Sequence, residues 1–549
     1  MLFFAIVSCL LLICIQGGFY AQTYIIAGCL CASACVIKGK KLVVSHELFH
    51  MTALALIYII SAIVSGMAFS VITAAILPVV MLIMAIMLSY MDSKAKDILI
   101  VFLQYCGVIS GVIALFLYVG MYMGLFNIPG LLDGNRLLFT FGYANVCGIW
   151  FAISFLLTFF SNTHNTKDKV YKKNPKGRKN IKWMQAASIV CLIDTLLTRS
   201  AGSVIILFTA FVIHMIVSGS CIRLGKAIRR TMICAFVTAT IMAVLLIIKR
   251  GSGVLSSFVE RFVQSYDGIR YICTSPLKGA GPSNWQYIFN EHQSAQYSAR
   301  IVHNNYVQAG LDAGIIAVIL LIMMLVMAIY KYCRTKRVVE LIAVCILVDA
   351  FIEYNLMFSS IYMLFVICFL YEPVKLKNTI QIKPLYMRIV SFVILICVGF
   401  SGFALAKVKT LEGYAQSGNI QKAEKIYEKY GSFMENGYRE NEAIGILLCT
   451  NSEKAKNDDI RKDFSDNSRK SCRLKMYEVI SDKNSSMDEI IRLMKSQPFN
   501  TRVHRNTKEM VENNGFSDEE KLRYRQCLDN INKRFDMWPA VLLNNQNKY

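Results

Sequence analysis

Stretches of about 20 apolar residues recur along this chain from Met1 to about Lys407, broken by short polar connections. As an α-helix, a stretch of that length crosses the roughly 30 Å hydrocarbon core of a bilayer. About thirteen spans are predicted on this criterion, near residues 1–17, 20–37, 48–66, 68–89, 97–120, 137–160, 183–200, 202–219, 231–248, 309–330, 338–354, 356–371 and 387–407. Only 17% of the side chains are charged and 55% are hydrophobic, whereas a soluble domain carries about 25% charged residues. A soluble cytoplasmic enzyme is excluded, and the predicted fold is an all-α, polytopic membrane helix bundle.

The chain carries 59 Lys and Arg against 36 Asp and Glu, a net charge of +23. Such an excess would suit nucleic acid, but its placement follows a membrane, because polytopic proteins keep Lys and Arg in cytoplasmic loops. Alternate connections are basic: Lys38, Lys40 and Lys41; Lys94 and Lys96; the run from Lys167 to Lys182; Arg223, Lys226, Arg229 and Arg230; Lys331, Arg334, Lys336 and Arg337; Lys375 and Lys377. All fall on one side if the N-terminus is cytoplasmic, so no nucleic-acid partner is expected. Met1 to Gln16 has neither a basic n-region nor a small-residue cleavage site and is expected to stay as the first span. The expected localisation is the cell membrane, multi-pass. Most of the 18 cysteines lie in apolar runs, where they act as small hydrophobes. None forms a paired C-x-x-C or His-flanked pattern, so no metal and no cofactor are expected.

This register divides the chain into a membrane domain, residues 1–407, with a long extracytoplasmic loop at 251–308, and an extracytoplasmic, soluble helical domain at 408–549. The loop is rich in aromatic residues, Gly and Pro, including Tyr266, Tyr271, Trp285 and Tyr287, which suits an ordered binding loop more than a linker. In the C-terminal domain a Gly418-Asn419 turn precedes an amphipathic stretch to Tyr427. That pattern fits a helical hairpin repeat of the tetratricopeptide type and an unrelated helix pair equally well. Further helices are predicted at Met487–Lys495, Thr501–Asn513 and Asp518–Lys533.

Polar residues with a function should collect at one membrane face. Arg199, in Leu197-Thr-Arg-Ser-Ala-Gly202, sits at a predicted hairpin tip on the side of the long loop; deeper in a span an arginine would cost about 2.5–3.5 kcal/mol. His303 lies before the tenth span with Asn304, Tyr306 and Gln308 beside it, and an imidazole can accept a proton near neutral pH. Asp349 and Glu353, four residues apart, share one helical face. They could orient an arginine, bind acceptor hydroxyls or serve as plain structural partners.

Arg270, Pro276, Gly279, Gly281, His303, Asn304, Tyr306, Asp312 and Gly314 together resemble the signature of the O-antigen ligase and polysaccharide polymerase superfamily of membrane glycosyltransferases. Asn135 to Asn145 is similar to that family's Arg, Phe-Gly, Asn stretch, and Leu197 to Gly202 to its Ser-Arg-Gly hairpin. The family places the arginine after the serine; here Arg199 precedes Ser200. One residue turns a helical side chain by about 100°, so Arg199 serves the same pocket only if the helix ends there.

The resemblance implies that an oligosaccharide held on a polyprenyl diphosphate is transferred to a sugar, lipid or protein hydroxyl on the outer face, by a polymerase or a ligase. Arginine suits the diphosphate, and a histidine poised near neutrality suits activation of the hydroxyl. The catalytic residues implied are His303, Arg270 and Arg199, with Arg136, Asn145, Ser200, Gly281, Asn304, Tyr306, Asp349 and Glu353 binding substrate, and with no metal required where arginines stabilise the leaving group. The expected partners are the lipid-linked glycan, its acceptor and membrane lipids; the glycan, a chain-length regulator and the wall are open candidates for the C-terminal domain. The competing class is a polytopic transporter or flippase of lipid-linked glycans.

Overall fold

The computed structural model describes the chain except for residues 161–182, 219–251, 299, 375–379, 451–468, 483 and 544–549. The basic runs at 167–182 and 223–230, the predicted span at 231–248, and Lys375 and Lys377 lie outside the described residues. Elsewhere helices dominate. The strands among the described residues are two-residue pieces in two antiparallel pairs, Leu42–Val43 with Gln381–Ile382 and Leu132–Asp133 with Arg136–Leu137. Among the described residues six helices are long and apolar enough to cross a membrane: Ala21–Lys38, His46–Val64, Phe69–Ser89, Ser93–Tyr122, Ile315–Thr335 and Pro384–Gln416. Shorter apolar helices include Leu2–Cys14, Ala144–Phe159, Ala201–Val217 and Ser359–Phe369. The helix Pro384–Gln416 runs through residue 407, where the membrane domain was expected to end.

The chain forms two compact units: Met1–Ala55, Leu77–Gly251 and Ile319–Gly399 in the first, and Leu56–Ile76, Ser252–Val318 and Phe400–Tyr549 in the second. In the first, the helix Ser359–Phe369 is tied at its start to a glycine turn, with Ser359 Oγ and Ser360 Oγ each donating at 2.7 Å to the carbonyls of Gly18 and Gly17. At its other end the last carbonyls lack intrahelical partners, and two buried ammonium groups supply them. Lys331 donates to Phe369 O and pairs with Glu47 at 3.0 Å, while Lys96 donates to Leu370 O at 2.7 Å. Lys96 and Lys331, expected as loop cations, are therefore buried helix caps. Glu47 also accepts the Val374 N–H at 3.0 Å, so the connections holding Lys96, Lys331 and Val374 meet at one end of this unit.

In the second unit, the segment expected as a long loop contains the helices Ser252–Thr274 and Trp285–His292 and leads into Asn305–Ala313. Its Val263, Trp285, Phe289 and Leu311 share one core with Leu493, Phe499, Val503 and Ile531 of the C-terminal segment. The helices Met487–Ser496, Thr501–Asn513 and Asp518–Arg534 stand where their periodicity predicts them. Capping boxes start two of them, Ser486 with Glu489 and Ser517 with Glu520, each satisfying orphan N–H groups of the first turn.

Candidate functional site

In the first unit three separate segments meet. The helix Ile189–Leu197 ends as Thr198 turns its hydroxyl back to Thr195 O at 2.7 Å. Arg199 then takes φ +51°, a left-handed conformation that costs a non-glycine residue about 1–2 kcal/mol. Ser200 caps the next helix, Ala201–Val217. The backbone is thus irregular at the residue where the hairpin comparison requires it, and the Arg199 side chain is exposed.

The second segment brings Arg136 from the short hairpin 132–137. Its Nε donates to Thr198 O at 3.2 Å, and its Nη2 to Asn145 Oδ1 at 2.9 Å. Two of the five guanidinium N–H donors are used in this way, and three remain uncommitted among the described residues. The third segment follows the helix Val338–Asp349. Glu353 Oε1 accepts from Asn145 Nδ2 at 2.6 Å and Oε2 from the Tyr143 hydroxyl at 2.9 Å. A relay Glu353–Asn145–Arg136 therefore fixes the guanidinium beside the hairpin tip.

Asp349 and Glu353 do not continue along one helix. The helix ends at Asp349, where the Asn355 amide takes Ile346 O at 3.1 Å and Asp349 Oδ2 at 3.0 Å. Asp349 instead faces the first turn of Ala201–Val217: a Cβ placed on Gly202 would lie 3.7 Å from its Oδ1, and that end of a helix favours a carboxylate.

In the second unit, the motif from Arg270 to Gly314 folds into a brace. Asn304 caps the helix Asn305–Ala313, its Oδ1 accepting the Tyr306 and Val307 N–H groups at 3.0 and 3.1 Å, as N-cap residues do. Gln308 accepts from Val302 N at 3.2 Å and donates to Asp312 Oδ1 at 3.0 Å, which also accepts Ser283 N at 3.1 Å. At the other end of the helix, the N–H groups of Ala280 and Gly281 donate to Leu311 O at 2.6 and 3.2 Å. Gly279 and Gly281 have φ +61° and +92°, and no side chain would fit between the turn and its neighbours. Tyr306 is buried.

His303 stands at the start of this brace, half-buried, with its backbone N–H held by Gln264 Oε1 at 3.4 Å. Arg270 lies six residues further along the helix of Gln264, a rise of about 9 Å, exposed and 5.9 Å from the Tyr266 ring. One turn earlier, buried Asp267 accepts from Ser294 N and the Tyr297 hydroxyl, both at 3.0 Å. Burial holds its carboxyl above the usual range, with those bonds and Arg270 opposing. His292 stacks on Trp285 and meets Tyr271 edge-on, and burial pushes its ring below the usual imidazole range, with Glu291 opposing. It is a partly buried residue packed among aromatic rings.

The structure therefore gathers Arg136, Asn145, Ser200, Asp349 and Glu353, with Arg199 at the tip, in the first unit. Gly281, Arg270, His303, Asn304 and Tyr306 belong to the second. Sequence reasoning misses Tyr143, Thr198, Gln264 and Asp267, since the partners that give them a place in the site, Glu353, Arg136, His303 and Ser294, lie 27 to 210 residues away and leave no local pattern. No group of three or more His, Cys, Asp or Glu placed to hold a metal occurs among the described residues. No protein-family model matches this chain, and no curated protein matches it either.

Proposed function

We propose that the protein transfers an oligosaccharide from a polyprenyl diphosphate to an acceptor hydroxyl at the outer face of the cell membrane, as a polymerase or ligase of a surface polysaccharide. About thirteen spans, a cytoplasmic N-terminus and an extracytoplasmic C-terminal domain belong to this proposal. The observation that carries it is the pairing of two arginines at one hairpin tip: Arg136 bonds the carbonyl of Thr198, the residue before Arg199. A diphosphate leaving group needs permanent positive charge and forked donors, and Arg136 keeps three N–H donors for it. The common core of the 252–311 and C-terminal segments supports placing both on one side of the membrane.

The acceptor hydroxyl attacks the anomeric carbon, His303 takes its proton, and the bond from that carbon to the diphosphate oxygen breaks with inversion. The electron pair leaves with the diphosphate, whose charge Arg136 and Arg199 offset; Arg270 is the further cation of the signature. The test is release of polyprenyl diphosphate by purified protein given a polyprenyl-diphosphate oligosaccharide and acceptor. Release should fall about 100-fold or more in His303→Ala, the range of general-base contributions, and further in Arg136→Ala. Release indifferent to His303→Ala defeats the base assignment.

A flippase or transporter of lipid-linked glycans is the second reading. It is favoured by Asp194, a buried acid of the helix Ile189–Leu197 whose two carboxylate oxygens have no hydrogen-bond partner among the described residues, since intramembrane acids often mark transport paths. Glycan movement across vesicles without diphosphate release would select it.

A further inference from the structure

The C-terminal helices of the second unit enclose a cationic groove that the transfer chemistry does not use. A cavity of about 850 Å³ lies between Thr501–Asn513 and Asp518–Arg534 and is lined by Arg502, Arg505, Lys508, Lys521, Arg525 and Tyr524. A second cavity, of about 430 Å³, shares Thr501 and Arg502 with it and continues among Arg300, Arg473, Glu260, Glu442, Tyr287 and Asn290, so that the cationic stripe belongs to the first cavity. Both volumes fall in the roughly 300–1,000 Å³ range of ligand sites.

The two walls carry their charges in register. Arg502, Arg505 and Lys508 recur every third residue on one helix, and Lys521 and Arg525 are four apart on the other, so each set forms a stripe. None of these five makes an ion pair among the described residues, and Glu512 is the acid of that lining. Other cations of this unit do find acids, among them Lys475 with Glu291, Arg439 with Glu412 and Arg523 with Asp488. Like charges along one face and across a groove repel one another, and Arg502 stands in the first turn of its helix, where a cation opposes the dipole. A polyanion in the groove would relieve both. The wall of the second cavity also carries the Tyr287 ring and the Asn290 amide, which suit the apolar faces and hydroxyls of sugars better than a flat lipid surface.

We infer that this groove binds an acidic saccharide chain, bearing carboxylate or phosphate groups, and holds the acceptor or the growing product. The inference deepens the glycan-transfer proposal and rests on it for the choice of a sugar chain. The test measures binding alone, by fluorescence anisotropy of labelled oligogalacturonate on the full-length protein in neutral detergent. The wild type should bind the acidic oligomer at least tenfold more tightly than its fully methyl-esterified form, and added salt should weaken binding. Arg505→Gln/Lys508→Gln/Arg525→Gln, all exposed positions, should weaken it tenfold or more with the melting temperature unchanged. The charge-matched control Lys422→Gln/Lys425→Gln/Lys429→Gln, away from both cavities, should bind as wild type. Equal binding of the esterified oligomer, or no effect of the groove variant beyond that of the control, overturns the inference. So does binding of phosphatidylglycerol vesicles without binding of the oligomer, which would make the groove a lipid-surface contact. Binding that survives while diphosphate release is never seen leaves the groove standing and removes the transfer proposal alone.

Discussion

Gly279→Ala tests whether the motif glycines hold the brace that carries His303. Gly279 has φ +61°, and an added Cβ would lie 2.8 Å from the Leu311 carbonyl carbon and closer still to the oxygens of Gly310 and Leu311. These are backbone atoms at a helix end, so they cannot swing aside as a side chain would. Left-handed backbone costs an alanine about 1 kcal/mol. Clearing the clash lifts the turn off the helix and breaks the bonds from Ala280 and Gly281 to Leu311 O, at about 1 kcal/mol each. The local loss is roughly 3 kcal/mol, or about 100-fold in an opening equilibrium at 1.4 kcal/mol per decade. Hydrogen exchange followed by mass spectrometry, on peptides covering 276–284 and 302–314, reads this directly. Both should exchange about 100-fold faster, with the helix Met487–Ser496 little affected. Gly413→Ala is the control: nothing lies within 4 Å of its Cβ position inside the helix Pro384–Gln416, and it should be neutral or stabilise by up to about 1 kcal/mol. If the two variants exchange alike, the glycines do not act by close approach.

Glu353→Ala removes an acceptor of two charge-assisted bonds, typically about 1.5–3 kcal/mol each. It should lower the melting temperature in detergent clearly more than Glu353→Gln, whose amide can still accept from Asn145 and donate to Tyr143; equal losses would refute the relay. Arg199→Gly relieves the left-handed strain at φ +51°, so it should stabilise by up to about 1 kcal/mol while abolishing diphosphate release; retained release removes Arg199 from the site. Burial holds the His504 ring down to about 4, with its Nε2 3.0 Å from Pro498 O. Its folded-state value lies below the unfolded value of about 6.5, so the unfolded chain takes up the proton first. Stability is full above about pH 6.5 and is lost as the pH falls toward 4, by roughly 3 kcal/mol at 1.36 kcal/mol per pH unit. His504→Gln should flatten melting temperature against pH over that window, and an unchanged slope would remove His504 as its source.

How much of this was legible in the sequence follows from the range of each interaction. Apolar runs and 3.6-residue periodicity are local, so four of the six long apolar helices and the C-terminal helices could be placed to within a few residues, while the expected spans at 309–330 and 387–407 missed the break at Gly314 and the extension to Gln416. The short helix Val338–Asp349 could not, because what ends it is the Asn355 amide reaching back to Ile346, and composition says nothing of such a reach. Lys96 and Lys331 were counted as loop charges because burial is a tertiary property; their carbonyl partners lie near residue 370.

The signature from Arg270 to Gly314 shows the same limit in a sharper form. Nine residues stand out together by type and spacing, yet several are committed to the fold. Asn304, Asp312, Gly279 and Gly281 spend their hydrogen bonds or their missing side chains on holding one short helix between two turns. His303, half-buried at the N-terminal edge of the brace, and Arg270, exposed on the adjoining helix, are the members that the proposal assigns to the substrate. Substituting a brace residue should therefore disturb exchange and stability together with activity, while His303→Ala should silence transfer and leave the exchange of Leu311 and its neighbours as it was. A mutation series that failed to divide along this line would mean that the brace is itself part of the reacting site.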